Sequence, residues 1–79
     1  MNRQHIDACI RDTLDHYFRD LGETPPHGMH EMIVSAVEKP LIETVLARAG
    51  GNQSRAAQWL GINRNTLRRK LLELGIDAG

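Results

Sequence analysis

Apolar side chains along this chain fall into helical rhythms separated by turn-rich breaks. Ile6, Ile10, Leu14, Phe18 and Leu21 recur at steps of four and three, which places them on one side of an α-helix of about four turns. GETPPHG, residues 22–28, interrupts the rhythm, and Pro25 and Pro26 bar a continuous helix there. Met29, Ile33, Val37, Leu41 and Val45 then follow at steps of four, joined by Val34, Ile42 and Leu46. Pro40 lies inside this second pattern. It has no N–H for the carbonyl of Ala36, but the apolar spacing continues in phase across it, so the pattern predicts one helix kinked at Pro40 rather than two. Gly50 and Gly51 end it.

The last third, GNQSRAAQWLGINRNTLRRKLLELG, residues 51–75, has a different grammar. Asn52 is a good N-cap, and Gln53 to Leu60 follows as a short helix with Ala56, Ala57 and Leu60 along one side. Gly61 can adopt positive φ in a tight turn, and Ile62 fills the angle between two helices. Asn63 caps the next helix, from Arg64 to about Leu74, which stops at Gly75. Ala57 precedes Gly61 by one helical turn, where two helices must cross closely and a larger side chain would force them apart. Together these features predict a helix-turn-helix.

Leu67, Leu71 and Leu74 form the inward stripe of the last helix, so Asn65 and Arg69 point away from the core. Arg64 and Arg68 occupy one flank, Thr66 and Lys70 the other. Donors at the first turn of such a helix can reach base edges in the major groove of duplex DNA, and flanking charges can grip phosphates. The competing view, a merely solvated basic face, does not account for the helix-turn-helix around it.

Charge sharpens this picture. The formal net charge is zero, which alone argues against a nucleic-acid partner. The distribution reverses that. Up to Ala47 there are four Lys and Arg against eight Asp and Glu, a balance of −4, whereas from Arg48 onward there are six against two, a balance of +4. The positive half carries the basic helix. At 79 residues the chain is one small domain, too small to bury a generous core alone, and its first two helices carry more apolar surface than they can satisfy between themselves. The expectation is a homodimer whose interface is built on Ile10, Leu14, Phe18, Ile33, Val37, Leu41 and Val45.

Other chemistry is thin. His27 and His30 have a chelating spacing but no convincing further ligand, so no metal site is expected. Asp12, Asp15, Asp20 and Glu23 belong to the polar side of the first helix rather than to a catalytic acid pair. Cys9 is the single cysteine and is expected as a half-buried, inert thiol. Trp59 is expected to pack partly between the helix-turn-helix and the first two helices. Neither a phosphate-binding loop nor a nucleophile elbow is present, so no enzyme, catalytic residue or cofactor is expected. No stretch is apolar and long enough to span a membrane and no signal-peptide pattern follows Met1, which suggests a cytoplasmic protein.

The run VEKPLIETVLARAGGNQSRAAQWLGINRNTLRRKLLELGI, residues 37–76, closely resembles the Fis family of bacterial nucleoid proteins, and RDTLDHYFRDL, residues 11–21, extends the similarity more weakly. The resemblance implies an all-α subunit of four helices. Residues 1–49 supply dimerisation helices, the second kinked at Pro40, and residues 51–76 supply the helix-turn-helix. It implies double-stranded DNA as partner, bent so that two closely held helices enter successive stretches of major groove, with much of the site preference arising from DNA deformability. It places Asn63, Arg64 and Arg69 at base-edge positions and Asn52, Ser54, Thr66 and Arg68 at backbone positions; Arg55 and Lys70, basic residues of the same unit, are further candidate DNA-backbone contacts on charge alone. Leu72 and Glu73 stand where the family commonly has lysines, which implies a salt dependence flatter by roughly 0.9 for each phosphate that is no longer neutralised. The chain starts too late to hold the β-hairpin arm with which better-known members touch recombinases, so the expected role is DNA bending and transcriptional control in the nucleoid rather than stimulation of inversion. Two other functions fit the same residues: a helical protein-interaction module, and the detached DNA-binding end of a nitrogen-regulation-type activator.

Overall fold

The computed structural model describes residues 1–77 and contains four α-helices: α1 (Arg3–Leu21), α2 (Met29–Arg48), α3 (Gln53–Leu60) and α4 (Arg64–Glu73). No strand occurs among the described residues. Three of the four helices start on an asparagine cap. The Asn2 Oδ1 accepts from the amides of Gln4 at 3.0 Å and His5 at 3.3 Å, satisfying two donors that α1 leaves orphaned. Asn52 does the same for Arg55 at 3.0 Å. The α2 N-cap is Gly28, which offers no side-chain cap. Pro40 is accommodated within α2 and does not divide it.

The core lies wholly towards the C-terminal end. Ile42, Leu46 and Ala49 of α2 and its terminus, Ala56 and Ala57 of α3, and Leu67 and Leu71 of α4 are the buried apolar residues. Val45, Leu60, Ile62, Leu74 and Ile76 pack around them. Thus the last turns of α2 belong structurally to the helix-turn-helix. Val45, expected at a dimer interface, packs on this core. The reason is rotational: a step of four residues advances 400°, so the α2 apolar stripe drifts around the helix. By Ile42 and Leu46 a second apolar face has turned towards α3 and α4.

Nothing comparable covers the N-terminal half. α1 contributes no buried residue, and its backbone makes no close approach to any other helix. It stands beside α2 across an apolar groove lined by His5, Ile6, Cys9 and Ile10 on one side and Ala36, Val37 and Pro40 on the other. Ile6 is 50% exposed, Phe18 48%, Val37 44% and Leu41 47%, while Ile10, Leu14 and Ile33 are half-buried, so the stripes that periodicity predicts are formed but only partly covered. The radius of gyration is 15.1 Å, against about 12 Å for a compact domain of this length. Two expectations change accordingly. Cys9 is exposed rather than half-buried, because no second layer covers α1. Trp59 is 56% exposed, because Ala56, Ala57 and Leu60 take the inward side of α3 and α1 does not reach that helix.

Candidate nucleic-acid interface

The turn between α3 and α4 fixes how the basic helix is presented. Gly61 has φ 75° and ψ 29°, a left-handed conformation that costs an L side chain about 1–2 kcal/mol. The Ile62 amide then donates to the carbonyl of Ala57 at 3.0 Å, closing α3 and folding Ile62 onto the core. Asn63, in extended conformation, starts α4: its Oδ1 accepts from the Asn65 amide at 2.7 Å. That bond engages one lone pair of the Asn63 oxygen and leaves its Nδ2 donors without a protein partner among the described residues.

Leu67 has no exposure and Leu71 only 5%, so the rotation of α4 is locked. Arg64, Asn65, Arg68 and Arg69 consequently lie exposed on the outer side, with Thr66 half-buried. Leu72, on the same outer side as Asn65 one heptad earlier, is 84% exposed. Arg64 and Arg68 form one wall of an open polar cleft whose other wall is the start of α3, with Gly51, Asn52, Gln53 and Ser54. The amides of Gln53 and Ser54 have no intrahelical acceptor, and the positive end of the α3 dipole adds to the two guanidinium groups. Such a cleft suits one anionic group such as a phosphate. Arg55 is exposed one position beyond the cleft's α3 wall.

The cations divide into two groups. Arg55, Arg64 and Arg68 form no ion pair among the described residues. Arg69 instead reaches Glu73 at 3.6 Å, one turn along α4, with both side chains more than half exposed. Lys70 is the larger departure from its expected place on the flank: its Nζ lies 2.7 Å from an oxygen of Glu38 on α2, and both side chains are about three-quarters shielded. Helical periodicity puts Lys70 on a phosphate-facing flank but cannot reveal a partner far away in sequence. Gln53 is equally invisible to periodicity as a cleft residue; its one signal is its place directly after the α3 cap.

A capped, tightly turned helix pair presenting an outer arginine-rich face beside an anion-favouring cleft defines a helix-turn-helix DNA-binding protein. Comparison with known families makes the assignment specific. Residues 33–74 match the family described as "Bacterial regulatory protein, Fis family". A Fis-like DNA-binding protein of Ralstonia nicotianae is 53% identical over 76 residues, spanning 96% of this chain and 99% of that protein. The DNA-binding protein Fis of Proteus mirabilis is 40% identical over 77 residues, covering 98% of this chain and 79% of that protein. A segment of the DNA-binding transcriptional regulator NtrC of Rhizobium meliloti is also 40% identical, over 92% of this chain but 15% of that much longer protein. The chain belongs to the Fis family, and it is a DNA-binding member.

Proposed function

We propose that the chain works as a homodimer that bends duplex DNA and regulates transcription as a nucleoid-associated protein. The observation that carries this is the imbalance of the fold: a closed core under the helix-turn-helix, and a long N-terminal half whose apolar stripes hold no fully buried residue before Ile42. A second copy, stacked on Ile10, Leu14, Phe18, Ile33, Val37 and Leu41, supplies the missing layer. By two-fold symmetry it also supplies a second basic helix. On this view Asn63, Arg64 and Arg69 meet base edges, while Asn52, Ser54, Arg55, Thr66 and Arg68 hold the backbone around the α3–α4 cleft. Arg69 must leave Glu73 to do so, and because that pair is exposed the cost is small.

The test is an electrophoretic mobility shift on circularly permuted fragments bearing an AT-centred site flanked by G and C, with sedimentation of the free protein alongside. A dimer whose complex migrates according to site position supports the proposal. A monomer, or a complex of uniform mobility, refutes the dimeric or the bending component respectively. The NtrC similarity favours a second function, in which the same unit anchors a larger regulator to DNA. That version predicts dimeric binding to spaced half-sites without dependence on bending.

A further inference from the structure

We infer that Lys70 and Glu38 form a brace that sets the angle of the DNA-binding head, so that Lys70 is a positioning residue and not a phosphate contact. The inference rests on the bent-DNA reading above for its consequence, but the observations behind it are separate. Among the described residues, the Lys70–Glu38 pair is the one ion pair that joins two helices. The other three, Asp7–Arg11, Asp12–His16 and Arg69–Glu73, each span a single turn of one helix and are more than half exposed. At 2.7 Å, with both side chains about three-quarters shielded, the Lys70 ammonium is held against α2 and withdrawn from the outer face where Arg64 and Arg68 lie.

Its placement relative to Pro40 gives it a mechanical role. Beyond the proline, Ile42 and Leu46 share one core with Leu67 and Leu71 and so fix α4 to the C-terminal half of α2. Glu38 lies two residues before the proline, in the half of α2 that carries Ile33 and Val37. The pair therefore spans the point at which α2 lacks an intrahelical hydrogen bond and bends most readily. One end of α4 is anchored after the hinge by leucines, and its flank is tied before the hinge by charge. If the N-terminal halves are joined in a dimer, the angle at Pro40 decides how far apart and how steeply the two heads sit, and thus how far DNA must bend to meet both.

The experiment compares the parent with Glu38→Gln, Lys70→Met, the two combined, and the charge swap Glu38→Lys with Lys70→Glu, on the permuted fragments across a salt series. For a brace, both single variants change the dependence of mobility on site position in the same direction. Each weakens binding about two- to tenfold, and the combined variant is no worse than either alone. The swap restores the parent's behaviour, and the slope of log affinity against log salt stays unchanged throughout. For a phosphate contact, Lys70→Met alone flattens the slope by about 0.9 per subunit, Glu38→Gln leaves binding intact or tightens it, and the swap is the worst of the set. That pattern, or single variants indistinguishable from the parent in both readouts, overturns the inference. A parent that binds without bending refutes the bending reading before any substitution is made; the salt slopes and the effect of the swap on affinity then still decide the role of Lys70.

Discussion

Leu67→Ala removes three carbons from a side chain that has no solvent exposure. Their transfer alone is worth about 2.4 kcal/mol at 0.8 per methylene, and the cavity left behind brings the expected loss to about 3–5 kcal/mol. The consequence depends on how little else holds the head together. Of the seven buried apolar residues among those described three are alanines, so Leu67 is one of four large buried side chains there. At a typical 0.05–0.15 kcal/mol per residue, the stretch from Leu41 to Asp77 commands about 2–6 kcal/mol in total. The substitution therefore consumes at least about half of it, and at mid-range values all of it, so the head melts near or below room temperature. Trp59, the single tryptophan, sits on α3 and its fluorescence reports the head selectively, while circular dichroism at 222 nm sums all four helices. The expected result is loss of the Trp59 transition and of DNA binding, with helical signal, and the proposed dimer, retained from α1 and the first half of α2. Phe18→Ala is the counterpart: on the exposed α1 stripe it should weaken the proposed dimer and leave the Trp59 transition in place. If Leu67→Ala shifted the Trp59 midpoint by only a few degrees and preserved binding, the core assignment would be wrong.

Other variants probe the interface and the turn. Arg64→Ala should cost about 1–3 kcal/mol per half-site at preferred sequences and blur discrimination among sites. Arg68→Ala should weaken all duplexes about equally and flatten the salt slope by about 0.9 per subunit, as competition binding with mixed-sequence DNA would show. Gly61→Ala meets no neighbouring atom within 4 Å, so its cost is the backbone conformation alone, about 1–2 kcal/mol, seen as a fall in melting temperature of about 4–8 °C for each kcal/mol. His16 has its pKa raised above 6.5, first by the hydrogen bond between its Nδ1 and the carbonyl of Asp12 at 2.9 Å, then by the carboxylates of Asp12, Asp20 and Asp15. A raised pKa means that the protonated ring favours the folded helix. Its contribution is fully present below pH 6.5 and is lost as pH rises through the higher folded value; ring-proton NMR should give a midpoint above 6.5, and α1 helicity should fall slightly on the alkaline side. A midpoint at or below 6.5 would contradict it.

The sequence by itself determined the elements. Step-of-four apolar spacing, the Pro25–Pro26 break, asparagine caps at Asn52 and Asn63, and Gly61 at the turn are local signals, and local backbone chemistry fixed α2, α3 and α4 almost to the residue. Rotation of α4 was legible too, since Leu67 and Leu71 admit only one inward face and that choice turns Arg64, Asn65, Arg68 and Arg69 outward. Tertiary structure alone decided what touches what. That Ile42 and Leu46 serve the head while Ile33 and Val37 remain outside its core depends on how far the α2 stripe has rotated by the time it meets α3. The exposure of Trp59 and Cys9 escapes periodicity because their burial would require a layer that one chain does not supply. The tether on Lys70 escapes it because spacing assigns a side chain to a face but is silent on a carboxylate brought to that face from another helix. Faces are set by spacing within a helix; partners are set by packing between helices.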